Sequence, residues 1–554
     1  MNQEIASGEL RGLAHREPSP SVLAWSASDN RASTLARQAA IWLTVATVMV
    51  FLALANPVSR DEGAFLGSLS VARGLRPYAD YLYLQTPLQL FIAQPLAWAS
   101  AGWSFITLRV FTGLIGTLVL WLVYAVQVRL ATPPRIAALS TFLLASCYSF
   151  QFGCGVYRND ALPMLFATMG TVGALFAIEK KAAAVAWGFA GLLFALAAGS
   201  KASYAVPAAG LGLYLLFLVA TRRMPVSALL SYGVGGLVGT APCIYLLFAD
   251  TRGGYFFSIF TFNAHVLIDW YKARNLAWLT SPLTNLGLTV LILGAGPALG
   301  AIVSIVGVRL KRTPTPGGTA SRETLLDVLI VSGLLAALLP TPSNFQYALP
   351  ALPAVFIRLG GVGFGVRNRF GRDRLQFAAA ALVWIGVLVG LSYGGVVAWR
   401  GLTRRHGLEV VEATEQAHWI GSRLSHAGAS GFVTSLSPED VLDSGYALDP
   451  RLSSGVFVFR SADQLPPALA ASLPIMGPAT LTQALDARPP AAIAVGGAGP
   501  LDAALRDYAV AHGYRREDSP IDWLALYVNP RSRQGRPSAL AGMSTGKQAA
   551  TGHS

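Results

Sequence analysis

Four polar points along an otherwise apolar chain carry groups able to do chemistry. Arg60, Asp61 and Glu62 place a cation and two carboxylates at the start of a long connection, in NPVSRDEGAFLGSLSV. Arg158 and Asp160 stand in CGVYRNDALP, Lys201 in GSKASYAVP, and Asn344, Gln346 and Tyr347 in TPSNFQYALPALP. Carboxylates beside cations suit a reaction with an anionic leaving group: the cations hold a phosphate and a carboxylate accepts the proton of the nucleophile. The same groups would serve an anion transporter. Plainer readings are also open. Asp61 and Glu62 can be a solvated loop start, and Lys201 can snorkel along an apolar surface. An ionisable group between two apolar runs nevertheless points first to function.

The elements that must position these groups follow from composition. Of 554 residues, 13% are charged and 53% hydrophobic, with a mean hydropathy of +0.50. A soluble domain has about 25% charged residues. A soluble enzyme, a disordered scaffold and a coiled coil are excluded. Apolar runs recurring from residue 38 to 398 make this a polytopic protein of the lipid bilayer. The net charge of +14 sits in short loops between apolar runs, as the positive-inside rule expects, so nucleic acid is not a partner. Cys147, Cys154 and Cys243 have neither metal-ligand spacing nor a disulfide framework. An Ala-x-Ala pattern at Ala53 and Ala55 offers a cleavage site, but the polar leader is long and a signal anchor is sufficient.

The apolar runs predict about eleven transmembrane helices, at 38–55, 106–127, 134–150, 162–178, 184–199, 204–220, 226–247, 284–308, 325–340, 346–360 and 377–398. Basic residues gather on alternate connections: Arg129 and Arg135; Lys180 and Lys181; Arg222 and Arg223; Arg309, Lys311, Arg312 and Arg322; Arg358, Arg367, Arg369, Arg372 and Arg374. That side is cytoplasmic. The four polar points and everything after residue 399 then share the opposite side. Segment 86–100 is apolar but short, and counting it as a span would place the basic loops outside; it is expected to lie along the membrane surface. A helix from Gly63 to Ala72 is expected beside it, with Phe65, Leu66, Leu69 and Val71 toward lipid and Gly74 and Pro77 ending it.

After residue 399 the apolar runs shorten to strand length. Strands are expected at 431–436, 455–460, 491–497 and 523–528, alternating with helical patterns, which gives a small α/β domain over 399–529. Residues 530–554 have the composition of a disordered tail, and 1–37 form a cytoplasmic leader. Asp443 and Asp449 are scattered among turn residues, and His406, His418 and His426 lack ligand spacing. GGAGP at 496–500 is an incomplete dinucleotide fingerprint. This domain is expected to cover the site or touch an acceptor.

The ordered set of short motifs resembles bacterial integral-membrane glycosyltransferases of the GT-C class, in particular the protein-mannosyltransferase-like families that include aminoarabinose and galacturonic acid transferases. The resemblance rests on Asp61-Glu62 after the first span, Pro77-Tyr78 and Thr86-Pro87-Leu88, Arg158 with Asp160, Lys201, and Tyr347-Ala348-Leu349-Pro350. It covers 38–398, which would be the catalytic domain, and implies a GT-C fold in a bacterial inner membrane with a periplasmic site and C-terminal domain. It implies a polyprenyl-phosphate-linked sugar donor, inversion at the sugar carbon, and an envelope glycan, glycolipid or protein as acceptor. Asp61 would be the base, with Glu62 and Asp160 shaping the pocket. Arg60, Arg158, Lys201 and Tyr347 would hold the donor phosphate, and Tyr78, Gln85, Asn344 and Gln346 would contact substrate. Relatives often carry Lys-Pro-Pro where this chain has Gln85-Thr86-Pro87, so a phosphate-binding lysine is missing there. Some relatives bind a divalent metal near the acidic residues, and no His or Cys cluster here specifies one. Two other readings compete: a transporter or flippase for an anionic lipid-linked substrate, and an assembly factor that has lost catalysis. The absence of an evident inverted repeat and the gathering of polar residues at one face favour the transferase.

Overall fold

The computed structural model describes residues 20–100, 102–179, 184–250, 253–311, 322–340, 342–362, 374–404, 407–520 and 524–534. Lys180, Lys181, Arg312, Arg367, Arg369, Arg372, His406 and nearly all of the expected tail lie outside the described residues. Helix α1 (Pro20–Ala55) is followed by α2 (Arg60–Val71) and α3 (Leu88–Ala99). Then come α4 (Ser104–Arg129), α5 (Pro134–Ala145), α6 (Tyr148–Gly155), α7 (Ala161–Glu179), α8 (Ala184–Ser200), α9 (Ala205–Ala220) and α10 (Val226–Ala249). A connection made of α11 (Gly254–Phe256), a π-helical stretch over Phe257–Val266 and α12 (Leu267–Lys272) leads to α13 (Pro282–Gly294) and α14 (Ala298–Lys311). The apolar part closes with α15 (Arg322–Leu338), α16 (Leu352–Val362) and α17 (Arg374–Thr403).

Six of these helices are long and apolar enough to cross a bilayer, and two bent pairs raise the number to eight among the described residues. The protein is a multi-pass membrane protein. Lipid explains why Leu230, Leu237, Phe377 and Leu388 stay exposed on α10 and α17. Helices pack closely through glycine, because bilayer interfaces gain little from hydrophobic burial and rely on close backbone approach. A Cβ on Gly191 or Gly235 would strike the backbone of the facing helix in the α8–α10 pair.

Two expected straight spans are broken. The run 134–150 bends by 68° between α5 and α6, where Cys147 adopts an extended backbone. The run 284–308 turns by 96° between α13 and α14. Pro297 supplies the cause there: it donates no backbone hydrogen bond and disfavours helical geometry at Gly296. The breaks meet, since a Cβ on Gly296 would lie 2.8 Å from Cys147 Cα.

The C-terminal region begins with α18 (Glu409–His426) and carries a five-stranded sheet of order β2-β1-β3-β5-β4. The strands are β1 (Phe432–Ser435), β2 (Ala447–Leu448), β3 (Ala492–Val495), β4 (Arg515–Asp518) and β5 (Ala525–Val528). β1 pairs in parallel with β2 and β3, and β5 pairs antiparallel with β3 and β4. Strands β1 and β3 are wholly buried, and β3 reads as a continuous apolar run, AIAV. The expected strand at 455–460 is instead the helical turn α19 (Val456–Phe459), entered through Gly455 at φ 54°. Short helices α20 (Pro467–Ser472), α21 (Leu481–Ala487) and α22 (Ala503–Ala511) complete the layer.

This region shares a core with the helix after the first span. Phe65, Leu66 and Leu69 of α2 are buried in one cluster with Val433, Leu448 and Leu526. The expectation that Phe65, Leu66, Leu69 and Val71 face lipid is therefore corrected: protein covers them. The closeness of the approach is visible at Gly67, where a Cβ would meet Ser453 O.

Candidate active site

The chain turns sharply as it leaves α1, and a capping box fixes the turn. Ser59 Oγ accepts from Asp61 N at 3.3 Å, and Glu62 Oε2 accepts from Ser59 N at 2.9 Å. Glu62 also accepts from Tyr157 N at 2.6 Å and from Arg109 Nη2 at 2.6 Å. Burial pushes its carboxyl above the usual range, and Arg109 pulls the other way. Arg109, fully buried in α4, ties the whole junction: it donates to the carbonyls of Ala53, Asn56, Pro57 and Gly155 as well as to Glu62. Glu62 thus faces the protein. Its neighbour Asp61, one position away on the first turn of α2, faces the opposite way into a cavity.

That cavity is partly open and has a volume of about 140 Å³. Asp61, Gln85, Arg158, Asn344, Gln346 and Tyr347 line it, as do Tyr83, Asn263 and Tyr271. Phe457 and Arg460 add a wall from the C-terminal region. Six of the expected site residues are thereby brought together from four separate stretches of chain. Arg60, Glu62, Tyr78, Asp160 and Lys201 are not on the wall.

An ion-pair chain runs behind the wall. Arg158 Nη1 donates to Asp61 Oδ2, and Arg158 Nε lies 3.3 Å from Asp160 Oδ2. Lys201 Nζ donates to the other oxygen of Asp160. Asp160 is fully buried and Lys201 nearly so. Two carboxylates and two cations alternate, so the cluster neutralises itself. Lys201 lies 5.0 Å from the Tyr347 ring centre, and Arg158 lies 5.6 Å from that of Phe152. Asp61 Oδ1 has no protein partner among the described residues, and the side chain is 33% exposed. This leaves one carboxylate oxygen available to a bound hydroxyl while the other is held.

The loop before α3 is built to present Gln85. Tyr78 sits at φ 70°, a left-handed conformation rare for a bulky residue. Its hydroxyl donates to Gln85 O at 2.6 Å and its amide to Tyr81 O at 2.7 Å. Gln85 Oε1 accepts from Asn159 Nδ2 at 2.6 Å. Tyr78 therefore shapes the loop from inside, and Asn159 is a positioning residue the sequence reading missed. Arg60 points outward, exposed, with a Cβ on Gly499 falling 4.0 Å from its Nη2.

Among the described residues no group of three or more His, Cys, Asp or Glu converges in a way that could hold a metal ion. The carboxylates next to Asp61 are engaged elsewhere, Glu62 by Arg109 and Asp160 by Arg158 and Lys201. This donor set does not fit the divalent ion that the resemblance left open.

No known family profile and no curated protein matches the sequence. Solved structures do match. ArnT from Cupriavidus metallidurans bound to undecaprenyl phosphate superposes with a TM-score of 0.56 at 13% identity, over 90% of this chain and 99% of that one. The apo state of the same protein gives 0.57 at 14% identity, over 91% and 100%. Similarity at such low identity is a statement about architecture. The chain has the ArnT-like GT-C fold.

Proposed function

We propose that this protein is a glycosyltransferase of a bacterial inner membrane, moving a sugar from a polyprenyl-phosphate donor to an envelope acceptor at the periplasmic face. The observation that carries this reading is Asp61: a carboxylate with one oxygen fixed by Arg158 and the other open to a cavity walled by Arg158 and Tyr347. The shared fold with a protein that binds undecaprenyl phosphate supports a donor of that class.

The reaction then runs as an in-line displacement. An acceptor hydroxyl attacks the sugar carbon from the face opposite the phosphate, and its proton passes to Asp61 Oδ1. The bond between sugar carbon and phosphate oxygen breaks, and polyprenyl phosphate leaves with the electron pair. Inversion follows from the single displacement. Arg158 and the Tyr347 hydroxyl face the leaving phosphate and offset its growing charge. Gln85, Asn344 and Gln346 supply amide donors and acceptors suited to sugar hydroxyls. Lys201 acts behind the wall, holding Asp160 and through it the Arg158 guanidinium, rather than touching the phosphate. Glu62 is a positioning residue for the turn that presents Asp61.

Mass spectrometry of envelope glycans and glycolipids from a strain lacking the gene tests this. One sugar should be missing from one acceptor, restored by the wild-type gene and not by Asp61→Asn. An unchanged envelope would overturn the reading. Build-up of a complete lipid-linked substrate on the cytoplasmic leaflet would favour the transporter.

A further inference from the structure

The cavity wall carries a second cation unlike the first. Arg158 is already matched by Asp61 and Asp160, and with Lys201 these groups leave no surplus charge. Arg460, which caps the C-terminal end of α19, has no such match. Among the described residues no carboxylate pairs with it, and its buried Nε has no hydrogen-bond partner. Its guanidinium lies 4.3 Å from the ring centre of Trp270 and 5.0 Å from that of Phe457. Arg274, one turn beyond Trp270, lies 4.1 Å from the same indole. Burial pulls Arg460 below its ordinary value, yet a guanidinium stays charged in a protein.

A partly buried cation that feels Asp61 only across the cavity, with no carboxylate in contact and a second arginine close by, is unfavourable as it stands. Two features make it informative. Its guanidinium lies over two aromatic rings, and a guanidinium's N–H fork suits paired contact with a planar or tetrahedral oxyanion. The residue also stands on the wall of the cavity, not on an outer surface. The elements that hold it come from both sides: α19 from the C-terminal region, and α12 from the connection after α10. The π-helical stretch that leads into α12 puts Asn263 on the same wall, and such stretches often mark functional sites.

We propose that Arg460, seated over Trp270, binds an oxyanion of the substrates, a phosphate or carboxylate carried by the donor or by the acceptor. This rests on the glycosyltransferase reading and gives the C-terminal region a direct part in recognition. Arg274 strengthens the local positive field and draws the anion toward that end of the cavity.

The test uses the full-length protein in uncharged phosphatidylcholine nanodiscs, as wild type, Arg460→Ala, Arg460→Lys and Trp270→Leu. Binding of undecaprenyl phosphate is measured for each, followed by transfer to membranes from the deletion strain. If the donor phosphate is the oxyanion, Arg460→Ala weakens undecaprenyl phosphate binding about tenfold or more. If the acceptor carries it, donor binding is unchanged and the acceptor KM rises by a similar factor with kcat retained. In either case Arg460→Lys rescues partly, because charge is kept and the fork is lost. Trp270→Leu falls between, because the fork keeps its charge and loses its platform. Unchanged donor binding together with an unchanged acceptor KM, in an Arg460→Ala protein that melts like wild type, would overturn the proposal. A wild-type protein that binds undecaprenyl phosphate and transfers no sugar would overturn the transferase reading instead, and Arg460 would then be judged on binding alone.

Discussion

Asp160 shows how far residue types alone carry an argument. Arg158, Asp160 and Lys201 are legible in the sequence because ionisable groups beside apolar runs are costly and need partners. Their pairing is not legible, since residues 160 and 201 meet only after α7 and α8 fold back on each other. Seen alone in the sequence, Lys201 suits a phosphate contact, whereas the fold places its ammonium against Asp160. Glu62 shows the converse. Ser59-x-x-Glu62 is a capping-box signature visible in the sequence, and it accounts for Glu62 without any catalytic role. Arg109, Asn159 and Arg460 went unseen, because each acts through partners distant in sequence. Removing one member of a buried pair strands the other charge at a cost of about 3–5 kcal/mol. Lys201→Met should therefore lower the thermal midpoint in detergent clearly, and adding Asp160→Asn should recover part of the loss. A Lys201→Met protein as stable as wild type would mean that the pair contributes nothing to the fold.

At the scale of elements, α2 is the piece that joins the first span to the proposed site. Its existence and approximate limits follow from the apolar spacing, and its exit follows from Gly74 and Pro77. What covers its apolar face does not follow, because part of the cover, with Val433, Leu448 and Leu526, comes from beyond position 430. The helical turn at 456–459 escaped for a related reason: GVFVFR has strand propensity, and tertiary packing of Val458 against Leu82 and Phe262 decides the outcome. Where the C-terminal region meets α2, a Cβ on Gly63 would lie 2.6 Å from Glu439 Oε2. Burial pushes Glu439 well above the usual carboxyl range, with Asp440 adding to it. Burial, with Asp502 adding to it, raises Asp440 from 3.8 to about 7. A carboxyl raised on folding stabilises most when neutral, so its contribution is full below about pH 4 and is lost as pH rises through about 7. The thermal midpoint should therefore fall between pH 5 and pH 8. Hydrogen exchange over 432–455 should rise in the same window, and Asp440→Asn should flatten both trends. Equal pH slopes in wild type and Asp440→Asn would contradict this account of the contact.

For the whole molecule, hydropathy and charge were enough to give a polytopic bundle with an α/β C-terminal region. They did not give the breaks at Cys147 and Pro297, where apolar runs continue although the backbone does not. The second break matters for topology, because a bent pair either completes a crossing or returns to its starting side. With a completed crossing, reporters fused near residues 275 and 405 should be periplasmic and one near 315 cytoplasmic. Reporters at 275 and 315 on one side would make α13 and α14 a re-entrant hairpin. The central claim concerns the carboxylate that the whole arrangement presents. Asp61→Asn keeps the size of the side chain and can still accept from Arg158, but it removes the proposed base. The most direct measurement is sugar transfer by the purified protein from a polyprenyl-phosphate donor, paired with a donor-binding assay on the same preparation. The account predicts normal donor binding and a turnover lowered by about 10²–10⁴ in Asp61→Asn, with a smaller loss in Glu62→Gln. Near-wild-type turnover by Asp61→Asn would contradict it.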